Sequence, residues 1–184
     1  MKTLVGQLLI AVPQLLDPNF RQTVVLIVRH NDEGAVGLVL NRQAPLKFNT
    51  VWEKLCNEPC PLEAPLYVGG PCGGPLMALH QIPDQSEIEV LPELYFTSDI
   101  QQIREVLEQQ ADPLRLFGGY AGWGPGQLED ELNAGGWHVH AAEPAQIFAA
   151  NDALWESLIR GMRGKSQLAD WLGIKHIPPA PWLN

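Results

Sequence analysis

Residues 23–42 read TVVLIVRHNDEGAVGLVLNR, and no other stretch constrains the fold as much. Thr23 to Val28 is an unbroken run, mostly β-branched, with no polar alternation. Such a run predicts a central strand covered on both faces. NDEGA then turns the chain, and VGLVLNR returns as the hairpin partner.

Around this hairpin the other elements are mixed. Gly6–Val12 reads as a strand stopped at Pro13, followed by LLDPNFRQ, a loop whose Asp17, Pro18 and Asn19 carry turn chemistry. Residues 48–55 suggest a short helix capped by Asn49 or Thr50. APLYVGGP and GPLMALHQI read as strands around a Gly-Pro corner, and LYFT as another. Residues 99–110 form the clearest helix, with Ser98 and Gln101 matching a capping box and Ile100, Ile103, Val106 and Leu107 as its buried stripe. PLRLFGGY and GGWHVHAA are strands, residues 152–162 a second long helix, and IPPAPWLN an extended arm. Strands and helices alternate without a βαβ rhythm, which predicts an α+β fold on a mixed, largely antiparallel sheet. With 184 residues, 46% of them hydrophobic, residues 1–184 are read as one domain.

Charge narrows the function. The net charge is −9, from 21 acidic and 12 basic residues, and the densest basic cluster is only Arg160, Arg163 and Lys165. Phosphate backbones demand concentrated positive charge, so direct nucleic-acid binding is not expected. No run approaches the ~20 apolar residues of a membrane span, and the N-terminus lacks the cleavage pattern of a signal peptide. A cytoplasmic protein is the expectation. Three cysteines, an odd count, point the same way, with Cys56, Cys60 and Cys72 read as free thiols. Cys56 and Cys60 form a C-x3-C pair without the second pair a zinc site needs.

GYAGWGPGQLEDEL, from Gly119 to Leu132, offers bare backbone. It does not suit phosphate: Pro125 removes a donor, no Lys, Ser or Thr lies between Gly118 and Glu131, and three carboxylates open the following helix. Close packing is the better reading. The stretch from Gly119 to Gln127 is expected to be a strand end, a tight glycine turn and a helix start, pinned by a buried Trp123, with Glu129 and Glu131 as surface helix-end charges. His138 and His140, two apart on a strand, share a face but lack an identified third ligand, and no metal is assigned to them. No nucleophile elbow, metalloprotease motif or P-loop occurs.

Three segments in order resemble the YqgE/AlgH family of bacterial proteins: GQLLIAVPQLLDPNFRQTVVLIVRHNDEGAVGLVLNR, LYVGGP, and GYAGWGPGQLEDEL followed by GGW. The resemblance implies a bifurcated sheet folded into a pseudo-barrel with flanking helices. It carries the label of transcriptional regulator, and no cofactor is expected. The chain departs from the family pattern at Cys72 and at His138 and His140.

The first functional expectation is a regulatory or binding protein acting through a protein or small-molecule partner. Its binding residues would be Asp17, Asn19, Arg21, Thr23, His30 and Asn41 from the first signature, with Tyr120, Trp123 and Gln127 from the glycine stretch, since most sit at turns and strand ends. The alternative is a small-molecule enzyme in which Asp17 orients His30 as acid or base, which requires the two side chains within hydrogen-bond reach.

Overall fold

The computed structural model describes residues 3–171, with side chains to residue 164. The arm IPPAPWLN lies outside them. In chain order the elements are β1 (Gln7–Ala11), β2 (Val24–Asn31), β3 (Gly34–Val39), β4 (Gln43–Lys47), α1 (Phe48–Cys56), β5 (Pro65–Val68), β6 (Cys72–His80), β7 (Ile88–Leu91), β8 (Leu94–Thr97), α2 (Ile100–Glu108), β9 (Arg115–Trp123), α3 (Gln127–Asn133), β10 (Trp137–Ala141), α4 (Pro144–Phe148) and α5 (Leu154–Trp171). No helix among the described residues is long and apolar enough to cross a membrane.

The fold is α+β on a ten-stranded sheet whose main path is β10-β1-β2-β3-β9-β6-β8-β7, with β5 and its partner β4 branching off at β9. It curls on itself, Gly6 ahead of β1 lying against Val90 and Leu91 of β7, but does not close. Residues 24–28 of β2 are fully buried, as their unbroken apolar run predicts. The bifurcation is at β9. One edge of β9 pairs with β6. The other is divided: residues 116–118 run parallel to β5, and residues 121–123 antiparallel to β3. All other pairings are antiparallel.

The divided edge accounts for the glycines. LYVGG and FGGYAG cross backbone to backbone there, Gly69 donating its N–H to Gly118 and accepting one from Val39. A Cβ on Gly69 would stand 2.2 Å from the Gly119 carbonyl oxygen, and Gly119 itself has φ +75° with the Cys72 carbonyl 2.7 Å from where its Cβ would be. No side chain fits at this junction. The expected glycine turn is therefore shorter than the sequence suggests. Strand β9 continues to Trp123, and only residues 124–126 turn, with Gly126 at φ +74°.

Two apolar cores result. The larger gathers β1–β3 with Trp123, Leu128, Trp137, Trp155 and Ile159. The smaller packs Phe48 and Trp52 of α1 and Ile103 and Leu107 of α2 onto Leu66, Leu76 and Leu116. Helix starts differ from expectation. α1 begins at Phe48 without a side-chain cap, so Asn49 and Thr50 do not cap it. The α2 cap is Asp99, which accepts from Gln101 and Gln102, while Ser98 donates to Glu87. β4, β7 and α4 were not expected.

His80, at the end of β6, is buried and accepts the Ile82 N–H at Nδ1 (3.2 Å). Burial pushes its pKa below the usual histidine value, a weaker pull from the Gln85 backbone opposing it. The folded state thus holds the neutral ring while the unfolded chain binds the proton more readily, so stability is full above the ordinary histidine pKa of about 6.5 and falls as pH drops below it. A His80→Gln variant is expected to lose this slope in denaturant titrations run across that interval.

Candidate functional site

Residues 13–22 run over the surface between β1 and β2, and their backbone is fastened from inside. Asp17 accepts the Asn19 N–H on its carboxylate (2.7 Å) and those of Phe20 and Arg21 on its carbonyl. The Thr23 hydroxyl, fully buried, donates to the Phe20 carbonyl (2.7 Å). Buried Asn41 accepts from Val24 N–H and donates to the Gln22 carbonyl, extending the sheet ladder where Gln22, at φ 56°, leaves it. Arg42 then donates to three carbonyls of the loop, those of Asn19 (2.6 Å), Pro18 and Arg21. Burial and neighbouring Arg21 lower the Arg42 pKa, and Asp17 opposes them.

Two side chains of the loop turn inward, Leu15 and Phe20, both packing against the larger core. Phe20 stacks on Trp123 (centroids 5.9 Å, planes at 20°) and meets Trp137 edge-on (5.4 Å). Beneath α3 the Glu131 carboxylate accepts both indole N–H groups, from Trp123 (3.0 Å) and Trp137 (2.8 Å), and the Gln127 amide as well. Other loop residues face outward: Gln14, Leu16, Asp17, Asn19 and Arg21 are exposed, Leu16 at 83%.

The first signature and the glycine stretch therefore do meet, through Phe20 and, apart from it, through His30 on Glu129, while the other polar residues named from the first signature do not reach the stretch. Of those, Asp17, Asn19 and Arg21 share the loop surface, while Thr23 and Asn41 turn inward to bond backbone. Trp123 is 5% exposed, and Gln127 braces the turn through the Gly124 N–H. Tyr120 is half-buried between Gly74 and Gly122.

His30 is placed elsewhere. Its Nδ1 accepts the Leu4 N–H (3.0 Å), so Nε2 carries the proton and donates to Glu129 (2.8 Å), and the side chain is 2% exposed. Both ring nitrogens are thus engaged, neither with Asp17. The His30–Asp17 acid–base pair does not form. Glu129 and Glu131 are likewise not idle surface charges, as each holds a buried ring. His138 and His140 share the face of β10 whose β1 partners are Ile10 and Leu8. No disulfide joins Cys56, Cys60 and Cys72, and the Cys60 thiol, raised in pKa by burial, donates to the Leu62 carbonyl. A cleft of about 470 Å³ beside α2 is lined by Trp52, Cys60 and Arg104, the last paired with Glu58, and contains none of the predicted binding residues.

Phe20, Arg42 and Arg115 carry structural roles that the sequence reading does not assign, and Glu131 one that it assigns to the surface. The signal for Arg115 was present, a single charge inside the apolar strand LRLF. The guanidinium is buried without a carboxylate partner among the described residues. It donates to the carbonyls of Leu40 (2.6 Å), Ile147 (2.8 Å) and Ala150 (2.7 Å) and lies 3.8 Å from the Tyr67 ring. Burial lowers its pKa.

The family model described as AlgH-like matches residues 8–167. A UPF0301 protein of Streptomyces coelicolor is 35% identical, the alignment covering 100% of this chain and 97% of that protein. A UPF0301 protein of Myxococcus xanthus is 38% identical over 88% of this chain and 92% of its own. Among solved structures, the solution structure of the AlgH protein from Pseudomonas aeruginosa superimposes with a TM-score of 0.75 at 31% identity, covering 98% of this chain and 100% of that one. A Corynebacterium diphtheriae protein shares the fold at a TM-score of 0.69 and 24% identity, with 87% of each chain covered.

Proposed function

The chain belongs to the AlgH-like family, and on that premise we propose that it is a cytoplasmic regulatory binding protein, acting as one domain and presenting the loop of residues 13–22 to a protein partner. A single observation carries this reading. The loop backbone is fixed by Arg42, Thr23, Asn41 and the Phe20 wedge, yet Leu16, Asp17, Asn19 and Arg21 face outward. A surface already ordered before contact avoids the entropy that a mobile loop loses on binding. An apolar side chain flanked by an acid, an amide and an arginine suits a protein surface better than a phosphate backbone. The net charge of −9 argues in the same direction, and regulation would then be exerted through the partner and not through direct DNA contact.

The test is affinity capture with the parent and a Leu16→Ser/Arg21→Glu double variant, with the melting temperature of both measured. The variant is expected to melt within about 2 °C of the parent, as exposed substitutions cost little, and to lose the partner. Duplex DNA should bind to the parent only non-specifically, at about 10⁻⁴ M or weaker at physiological salt. Equal recovery of the same partners by the variant, or sub-micromolar sequence-selective DNA binding by the protein alone, would overturn the reading.

A further inference from the structure

β10 ends the hydrogen-bonded strand order. Val12 donates its N–H to Gly136, and Ala142 donates to Gly6, so the even-numbered residues of β10 turn their backbone groups toward β1. By alternation the N–H and C=O groups of Trp137, Val139 and Ala141 point outward, and among the described residues they have no backbone partner. Exposed edges invite pairing with another chain and are usually blunted by charge, proline or a bulge. β4 carries Pro45, Lys47 and an irregular register, and β7 carries Glu89 and a register shift. β10, with the sequence WHVHA, has none of these and pairs with β1 in unbroken register. It is the unguarded edge of the sheet.

Its two histidines make that edge self-complementary. In a two-fold antiparallel pairing centred on Val139, the outward groups of Val139 bond those of the second copy's Val139. The same register sets His138 opposite the second copy's His140 in a non-hydrogen-bonded pair, the closer kind, with Cα atoms about 4.5 Å apart. All four imidazoles then lie on one face. One chain alone supplies two, and among the described residues no three His, Cys, Asp or Glu side chains gather. A tetrahedral cation needs four ligands, or three and a water. Inboard, His138 borders a groove with Val12 and, from α5, Met162 and Arg163, so the arginine charge favours a cation on the outboard side, between the copies.

We propose that two copies of the chain pair edge to edge through β10 and that His138 and His140 of both bind one divalent transition-metal cation of the imidazole-preferring kind, Zn²⁺, Cu²⁺ or Ni²⁺. The proposal does not rest on the binding role given to the loop of residues 13–22, although Pro13 and Gln14 of that loop line the same groove as His138. The experiment is sedimentation of the full chain in EDTA and in Zn²⁺, with zinc content measured on the isolated species. The protein is expected to be a monomer in EDTA and a dimer in Zn²⁺, with one Zn²⁺ per two chains. At a zinc concentration a hundred times the dissociation constant, association should tighten about 100-fold. His138→Ala, at an exposed position, should remain monomeric in Zn²⁺, and so should Val139→Pro, which keeps both histidines but removes the outward N–H. Circular dichroism confirms that each variant is folded. Zinc bound at one per chain without association, a monomer at saturating zinc, or a dimer equally strong in EDTA or in either variant would overturn the proposal.

Discussion

Arg115→Met is expected to lower stability by about 2–5 kcal/mol, the cost of taking the donor away from buried carbonyl acceptors. Methionine fills much of the space but donates nothing. Three carbonyls, those of Leu40, Ile147 and Ala150, would lose the donor that now reaches them in the interior. Each buried acceptor left without a partner costs about 1–3 kcal/mol. The Ile147 carbonyl also accepts from Ala149 and Ala150 and would keep those partners, so the loss falls mainly on the carbonyls of Leu40 and Ala150. The guanidinium thus ties β9, the end of β3 and the C-terminus of α4 to one point. For a chain of this length the loss corresponds to a fall of about 10 °C in melting temperature. A calorimetric scan checks it, and Arg115→Lys should fail to rescue, since one ammonium does not reproduce the planar fork.

Trp123→Ala should cost about as much, 3–5 kcal/mol being typical when a large core ring is truncated. The indole is sandwiched under Phe20, meets Trp137 edge-on, and donates to Glu131. The carboxylate beneath it gives the second half of this expectation. Glu131→Gln keeps the shape but replaces one accepting oxygen with a donor, against two indole donors and the Gln127 amide. A loss of about 1–3 kcal/mol follows. Asp130→Asn, at an exposed neighbour on the same helix turn, should change little. Thermal melts of the three variants decide it, and a Trp123→Ala protein that melts like the parent would contradict the packing described here.

What the sequence made legible follows from period and composition. The β2–β3 hairpin, α2 and the strand of α5-facing β1 were readable because their apolar positions repeat at one spacing or fill every position. β4 and β7 were not, being short, paired in irregular register and, in β4, interrupted by Pro45. The glycine stretch could be read as close-packed backbone, but not that Gly69 was what it packed against. That contact joins two segments about fifty residues apart, and nothing local encodes it. Of the candidate site, the sequence marked polar residues near strand ends. Thr23 and Asn41 are there because short polar side chains satisfy backbone groups where a strand breaks off, which looks the same in sequence as a binding residue. His30 was chosen for its chemistry, and its real partner is Glu129, on a different element 99 positions away.

The loop of residues 13–22 is held in one shape by the frame beneath it, so that its outward side chains form a ready surface. Amide hydrogen exchange resolved by residue tests this most directly. The N–H groups of Asn19, Phe20, Arg21 and Thr23 all have partners inside the loop. In the parent they should exchange well below the rate of an open chain, and in an Arg42→Ala variant that remains folded they should accelerate together while those of β2 stay protected. Exchange at the open-chain rate in the parent would mean that the loop is not held and that no preformed binding surface exists.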